Sequence, residues 1–150
     1  MTDEPVADRP LDGDQPHVFH VQVRWSDPDT MGHINHARYL SYFEDARMMM
    51  LASSPSGLAG GSDDRGYIAA RVCVDYLYPV EFRPGLLLRV ETAVGRINSS
   101  SWTLLAQMYD GEQAVARCEA VIVAYSYAKR ASRPLDDDER DFWMRYLREP

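Results

Sequence analysis

The stretch Val23-Arg-Trp-Ser-Asp-Pro-Asp-Thr-Met-Gly-His-Ile-Asn-His-Ala-Arg-Tyr-Leu-Ser-Tyr-Phe-Glu-Asp-Ala-Arg47 joins two kinds of local structure. Its first part, Ser26-Asp-Pro-Asp-Thr-Met-Gly-His-Ile-Asn35, is dense in turn formers and predicts a loop. Asn35 is a good N-cap, because its side-chain carbonyl can accept a free N–H of the first helical turn. From His36 to about Leu51, the apolar residues Tyr39, Leu40, Phe43, Ala46, Met50 and Leu51 fall on one helical stripe. Glu44, Asp45 and Arg47 lie on the other face. A loop carrying two aspartates, Asp27 and Asp29, therefore runs straight into the start of a long helix.

Upstream, residues 17–25 read as a strand with Phe19, Val21, Val23 and Trp25 on its buried face. Residues 1–16 are rich in proline and acidic side chains and poor in apolar ones, which predicts a solvated tail. Downstream, residues 52–66 are mostly small and polar, a linker loop. The hydrophobic period then switches to two. Residues 67–77 read as a strand with Ile68, Ala70, Val72, Val74 and Tyr76 on one face, Tyr76 being a core residue. Pro79 and Pro84 bracket a bend, and residues 86–96 and 101–109 form further strands around the turn Asn98-Ser99-Ser100. Asp110-Gly111 is a hairpin signal leading into a last strand, 113–125. One face of that strand is Ala114, Ala116, Cys118, Ala120, Ile122 and Ala124, small enough to let a helix approach the sheet closely. Asp136 and Glu139 have capping-box spacing, predicting a short helix to about Leu147 docked by Phe142, Trp143 and Tyr146. Consecutive hairpins and one long early helix give an α+β fold over residues 17–150.

A formal net charge of -7 with scattered arginines argues against nucleic acid as a partner, which calls for a basic stripe. An anionic ligand would need a local basic patch against that charge; Arg71, Arg83, Arg89 and Arg96 are candidates. No run approaches the roughly 20 apolar residues of a membrane span, and the first residues lack the pattern of a signal peptide. Cys73 and Cys118 read as two buried thiols rather than a disulfide. The expected location is the cytoplasm.

The quoted stretch resembles the signature of the 4-hydroxybenzoyl-CoA thioesterase-like hot-dog family: an Asp-x-Asp, then Gly-His-(Val/Ile)-Asn, then Ala-x-Tyr-Leu with a Glu and Arg further along. The segment Val74-Asp75-Tyr76-Leu77-Tyr78-Pro79-Val80 resembles the strand that follows the helix in that family. The resemblance covers residues 17–128. It implies a five-stranded antiparallel sheet wrapped around the long helix, and a homodimer or homotetramer with active sites at the subunit interface. It implies hydrolysis of acyl-CoA or acyl-carrier-protein thioesters without a cofactor. It implies Asp29 as the catalytic aspartate and a backbone N–H near His36 as the oxyanion donor. Many relatives have Asn where this chain has His36.

The chemistry suits those residue types. Attack on a thioester carbonyl creates an oxyanion, and preoriented N–H groups at that oxygen are usually the largest catalytic term. A helix start offers such donors and a positive dipole end. Asp29 would act as nucleophile or as general base on water; the bland alternative is a loop-stabilising Asx turn. Asp27 is expected to brace the loop. His33 with Asn35 and His36 would frame the oxyanion and substrate site, and Glu44 is a supporting candidate or a partner of Arg47. His33 and His36 are spaced poorly for zinc, and no metal is expected. The alternative function is a hot-dog module that binds an acyl group or CoA without turnover.

Overall fold

A computed structural model describes residues 15–54 and 64–148. Its elements are β1 (His17–Gln22), α1 (His36–Ala52), β2 (Gly66–Tyr76), β3 (Leu87–Ile97), β4 (Ser101–Asp110), β5 (Gln113–Ser126), β6 (Ala131–Ser132) and α2 (Asp137–Met144). The strands form one antiparallel sheet in the order β1-β3-β4-β5-β2, and the two-residue β6 pairs with β5. This is the expected α+β hot-dog architecture with one short added strand. The expected tail, 1–16, lies outside the described residues except for 15 and 16, as does most of the 52–66 linker.

The sheet curves because its ladders are interrupted. Register shifts fall between Ala69 and Arg71 on β2, Val94 and Arg96 on β3, and Met108 and Tyr109 on β4. Each such irregularity adds local bend and twist. The last one brings Val115 into the core beside Ala116. The curved face receives α1, which buries Tyr39, Tyr42, Phe43, Ala46, Met50 and Leu51. At about 1.5–3 kcal/mol per large apolar side chain removed from water, this stripe is what holds the helix. The row Ala116, Cys118, Ala120, Ile122 and Ala124 is buried, but the strands that α1 approaches closely are β1 and β3 rather than β5.

Four expectations are corrected. β1 ends at Gln22, and Trp25 is 82% exposed, because the chain turns into the loop after Val23 N–H bonds to the Leu86 carbonyl. Leu40 is exposed and Tyr42 is buried in its place, because α1 faces the sheet through a stripe rotated toward Tyr42. Cys73 and Tyr76 are exposed, because β2 is the end strand of the sheet and bears few contacts on its outer side. The terminal helix stops at Met144 rather than Leu147.

Helix α2 starts on the expected capping box, with Asp136 and Glu139 each bonding the other's backbone N–H. Glu139 is wholly buried and also holds Arg133 through two bonds of 2.7 and 2.8 Å and the Tyr67 hydroxyl at 2.8 Å. Burial raises the Glu139 carboxyl, but the bonds from Arg133, the Asp136 N–H and Tyr67, with the Arg133 charge, together outweigh it and leave it below its ordinary value. Trp143 stacks on Trp102 at 4.6 Å, closing the end of the core. Among the described residues no helix is long and apolar enough to cross a membrane.

Candidate active site

The loop before α1 is a miniature hairpin. Pro28 pairs with Ile34, and the Asp29 N–H bonds the His33 carbonyl at 3.0 Å. Gly32 takes φ +83° at its tip, a backbone region that glycine enters without steric cost. The far arm is sewn to the chain after β2: Ile34 N–H bonds the Val80 carbonyl at 2.8 Å, and His33 pairs with Glu81.

Asp27 anchors the base of this hairpin. It is 1% exposed, and its Oδ2 accepts the Arg24 N–H at 2.9 Å and the Tyr42 hydroxyl at 2.5 Å. Its carbonyl accepts the Asn35 N–H at 3.1 Å, which ties the loop to the cap of α1. Burial, then the bond to Asp27, holds the Tyr42 phenol far above its usual range, so it remains a donor. The guanidinium groups of Arg24 and Arg38 approach Oδ1 at 3.9 and 3.8 Å.

Asp29 is presented outward. One carboxylate oxygen accepts the Met31 N–H at 2.8 Å in an Asx turn. The loop-stabilising Asx turn, the bland alternative for Asp29, is therefore present, and it also fixes the direction of the carboxylate. At the end of the loop, Asn35 caps α1: its Oδ1 accepts the Ala37 N–H at 2.9 Å and its carbonyl the Arg38 N–H. The cap leaves the first N–H of the helix, that of His36, for another acceptor. The His36 carbonyl accepts the Tyr76 hydroxyl at 2.9 Å, which fastens the end of β2 to the helix start.

The structure thus brings Asp27, Asp29, His33, Asn35 and His36 into one hairpin and cap. Glu44 stands apart, two turns down α1, where it pairs with Arg47 at 3.7 Å. Sequence reading gave no weight to Tyr42, and placed Tyr76 in the core. The signal for Tyr42 was its spacing three residues after Tyr39 on the stripe that faces the loop. Of the candidate phosphate-binding arginines, Arg71, Arg83 and Arg89 are paired with Glu119, Asp110 and Glu91. Arg24 and Arg38 are the cations beside the site. Around it, Trp25 and Met31 (80% exposed) leave an apolar rim. Among the described residues no group of three or more His, Cys, Asp or Glu is placed to hold a metal ion.

A cleft of about 200 Å³ opens between α1 and the sheet, lined by Leu40, Phe43, Val72, Leu104 and Cys118 among others. Burial pushes the Cys118 thiol up to about 11.

The sequence profile of the thioesterase-like superfamily matches residues 23–142. No curated protein matches the sequence significantly. Among solved structures, the chain is similar to the PA2801 protein of Pseudomonas aeruginosa, with 27% identity and a TM-score of 0.76 over 85% of this chain and 97% of that one. It is similar to a thioesterase from Thermus thermophilus solved with coenzyme A and Zn, with 25% identity and a TM-score of 0.77 over 91% and 98%. The fold is shared with a 1,4-dihydroxy-2-naphthoyl-CoA thioesterase from Synechocystis, with 18% identity and a TM-score of 0.74 over 85% and 95%.

Proposed function

The chain belongs to the thioesterase-like superfamily, and from that premise we propose that it hydrolyses an acyl-CoA thioester at the Asp29 hairpin. The observation that carries this reading is the outward carboxylate of Asp29, held by its Asx turn, on a hairpin whose base is hydrogen-bonded to the cap of α1. In this reading the thioester carbonyl lies against the His36 N–H, where the dipole of α1 favours negative charge. Asp29 either attacks the carbonyl carbon, expelling the thiolate and leaving a mixed anhydride that water then hydrolyses, or draws a proton from a water that attacks that carbon and expels the thiolate; by either route a carboxylate is released. Asn35 aims the first turn, Asp27 and Tyr42 hold the loop, and His33 fixes its far arm against Glu81. Arg24 and Arg38 offer the local positive charge that a coenzyme A phosphate needs on a chain with net charge -7.

Two copies would join through β2. That strand ends the sheet, and Ile68, Val72 and Tyr76 are exposed on it, an edge that a soluble chain normally pairs or covers. A cytoplasmic site of action suits two free cysteines.

The test is thiol release from short, long and aromatic acyl-CoAs, and from acyl carrier protein loaded with the same groups. Turnover by the wild type that is lost in Asp29→Asn supports the reading. Equal turnover by both overturns it. Tight coenzyme A binding without turnover by the wild type would mark a binding module instead.

A further inference from the structure

The cleft under Leu40 has a neighbour. A second cavity of about 250 Å³ lies farther along α1, lined by Met48, Leu51, Tyr67, Trp102 and Trp143. Glu44, Arg47 and Ala69 line both cavities and so stand between them. The two spaces follow one face of α1. At about 1.5 Å per residue, Leu40 is about 6 Å and Arg47 about 16 Å from His36 along the helix axis. Strand β2 runs alongside in the opposite sense, with Tyr76 at the His36 end and Tyr67 at the far end.

Arg47 reaches into this groove. Its guanidinium is 3.7 Å from Glu44, most of its side chain is covered, and its charge acts on the buried Cys118 thiol in the cleft wall. The walls also carry Thr92 in the near cavity and Arg65 in the far one, but the charged pair Arg47 and Glu44 stands at the junction. A charge there is a poor neighbour for a hydrocarbon chain, because passing it would strip the charge of water without supplying a partner. A cavity of about 150 Å³ accepts a benzene ring. The near cavity therefore suits one ring or a short aliphatic chain, whereas a long chain needs both.

We propose that Arg47, braced by Glu44, is a specificity-determining residue that closes the acyl pocket and restricts it to single-ring or short-chain acyl groups. This rests on the reading of the His36 end of α1 as the place where the thioester carbonyl lies. Arg47 takes no part in the chemistry.

The experiment measures kcat/KM of wild type, Arg47→Ala and Arg47→Met on benzoyl-, hexanoyl- and palmitoyl-CoA, and measures binding of the corresponding non-hydrolysable thioethers by calorimetry. The wild type prefers the first two substrates. Arg47→Ala, which joins the cavities, raises the palmitoyl-to-hexanoyl ratio by about tenfold or more, the scale of one pocket contact. Arg47→Met keeps the bulk, removes the charge and gives an intermediate shift. Arg47→Ser repeats the test if the alanine variant is insoluble. Unchanged length profiles in all variants, or a wild type that prefers palmitoyl-CoA, overturn the proposal. If nothing is hydrolysed but thioether binding shows the length limit and its release in Arg47→Ala, the catalytic reading fails and the pocket assignment stands.

Discussion

Asp27 and Asp29 stand two residues apart and use their charge in opposite ways. Asp27 is buried and commits its carboxylate to the Arg24 N–H and the Tyr42 hydroxyl. Asp29 accepts a short-range bond from the Met31 N–H and faces outward. Asp29→Asn retains an oxygen for that bond, so the variant should keep its thermal midpoint while losing about 10²–10⁴-fold in turnover, the usual worth of a general base. A thiol-release assay beside a melting curve checks both halves. Tyr42→Phe removes a donor from a buried carboxylate, which costs about 1–3 kcal/mol. Urea unfolding should show that loss, with a fall in turnover as the hairpin loosens at its base.

At the scale of the elements, the attachment of α2 is sensitive to acid. Glu139, with a carboxyl held below its ordinary value of 4.5, is bonded by Arg133, Tyr67 and its own capping box. A depressed folded value stabilises the ionised form, so its contribution is complete above about 4.5 and is lost as the pH falls through the lower folded value. Stability measured by urea should drop along that acid limb, and Glu139→Gln should flatten it. Arg133→Ala leaves a buried charge unmatched and should cost about 3–5 kcal/mol at neutral pH. Much of this element-level picture was legible beforehand. The capping pair Asp136 and Glu139 predicts the start of α2, and Asn35 predicts the start of α1, because both rules concern neighbours within one turn. What neighbours alone do not encode is where an element meets the rest. Trp25 alternates correctly with Phe19, Val21 and Val23, yet it is exposed because the partner strand β3 pairs only as far as Gln22. Tyr76 has a strand pattern, yet its role, a bond to the His36 carbonyl, depends on tertiary placement. The hairpin of Asp29 was legible as turn chemistry, but the burial of Asp27 under Tyr42 joins residues fifteen apart and needed the fold.

At the scale of the molecule, an edge strand with exposed apolar side chains sets the expectation of self-association. Ile68→Lys places a charge on that edge, the device by which sheets avoid edge pairing. Sedimentation should show the wild type as a dimer or larger and the variant shifted toward monomer, with reduced turnover if the site is interfacial. A wild type that sediments as a monomer would remove the interfacial reading. The two thiols make these events separately visible. Cys73 stands on β2, exposed in the isolated chain, while Cys118 lies in the wall of the cleft with its thiol raised to about 11. The protein thus carries two built-in timers for a thiol reagent. Under the proposed pairing of two copies along β2, the rate at Cys73 would clock the opening of that contact. The much slower rate at Cys118 would clock vacancy of the groove and would slow again when an acyl group fills it.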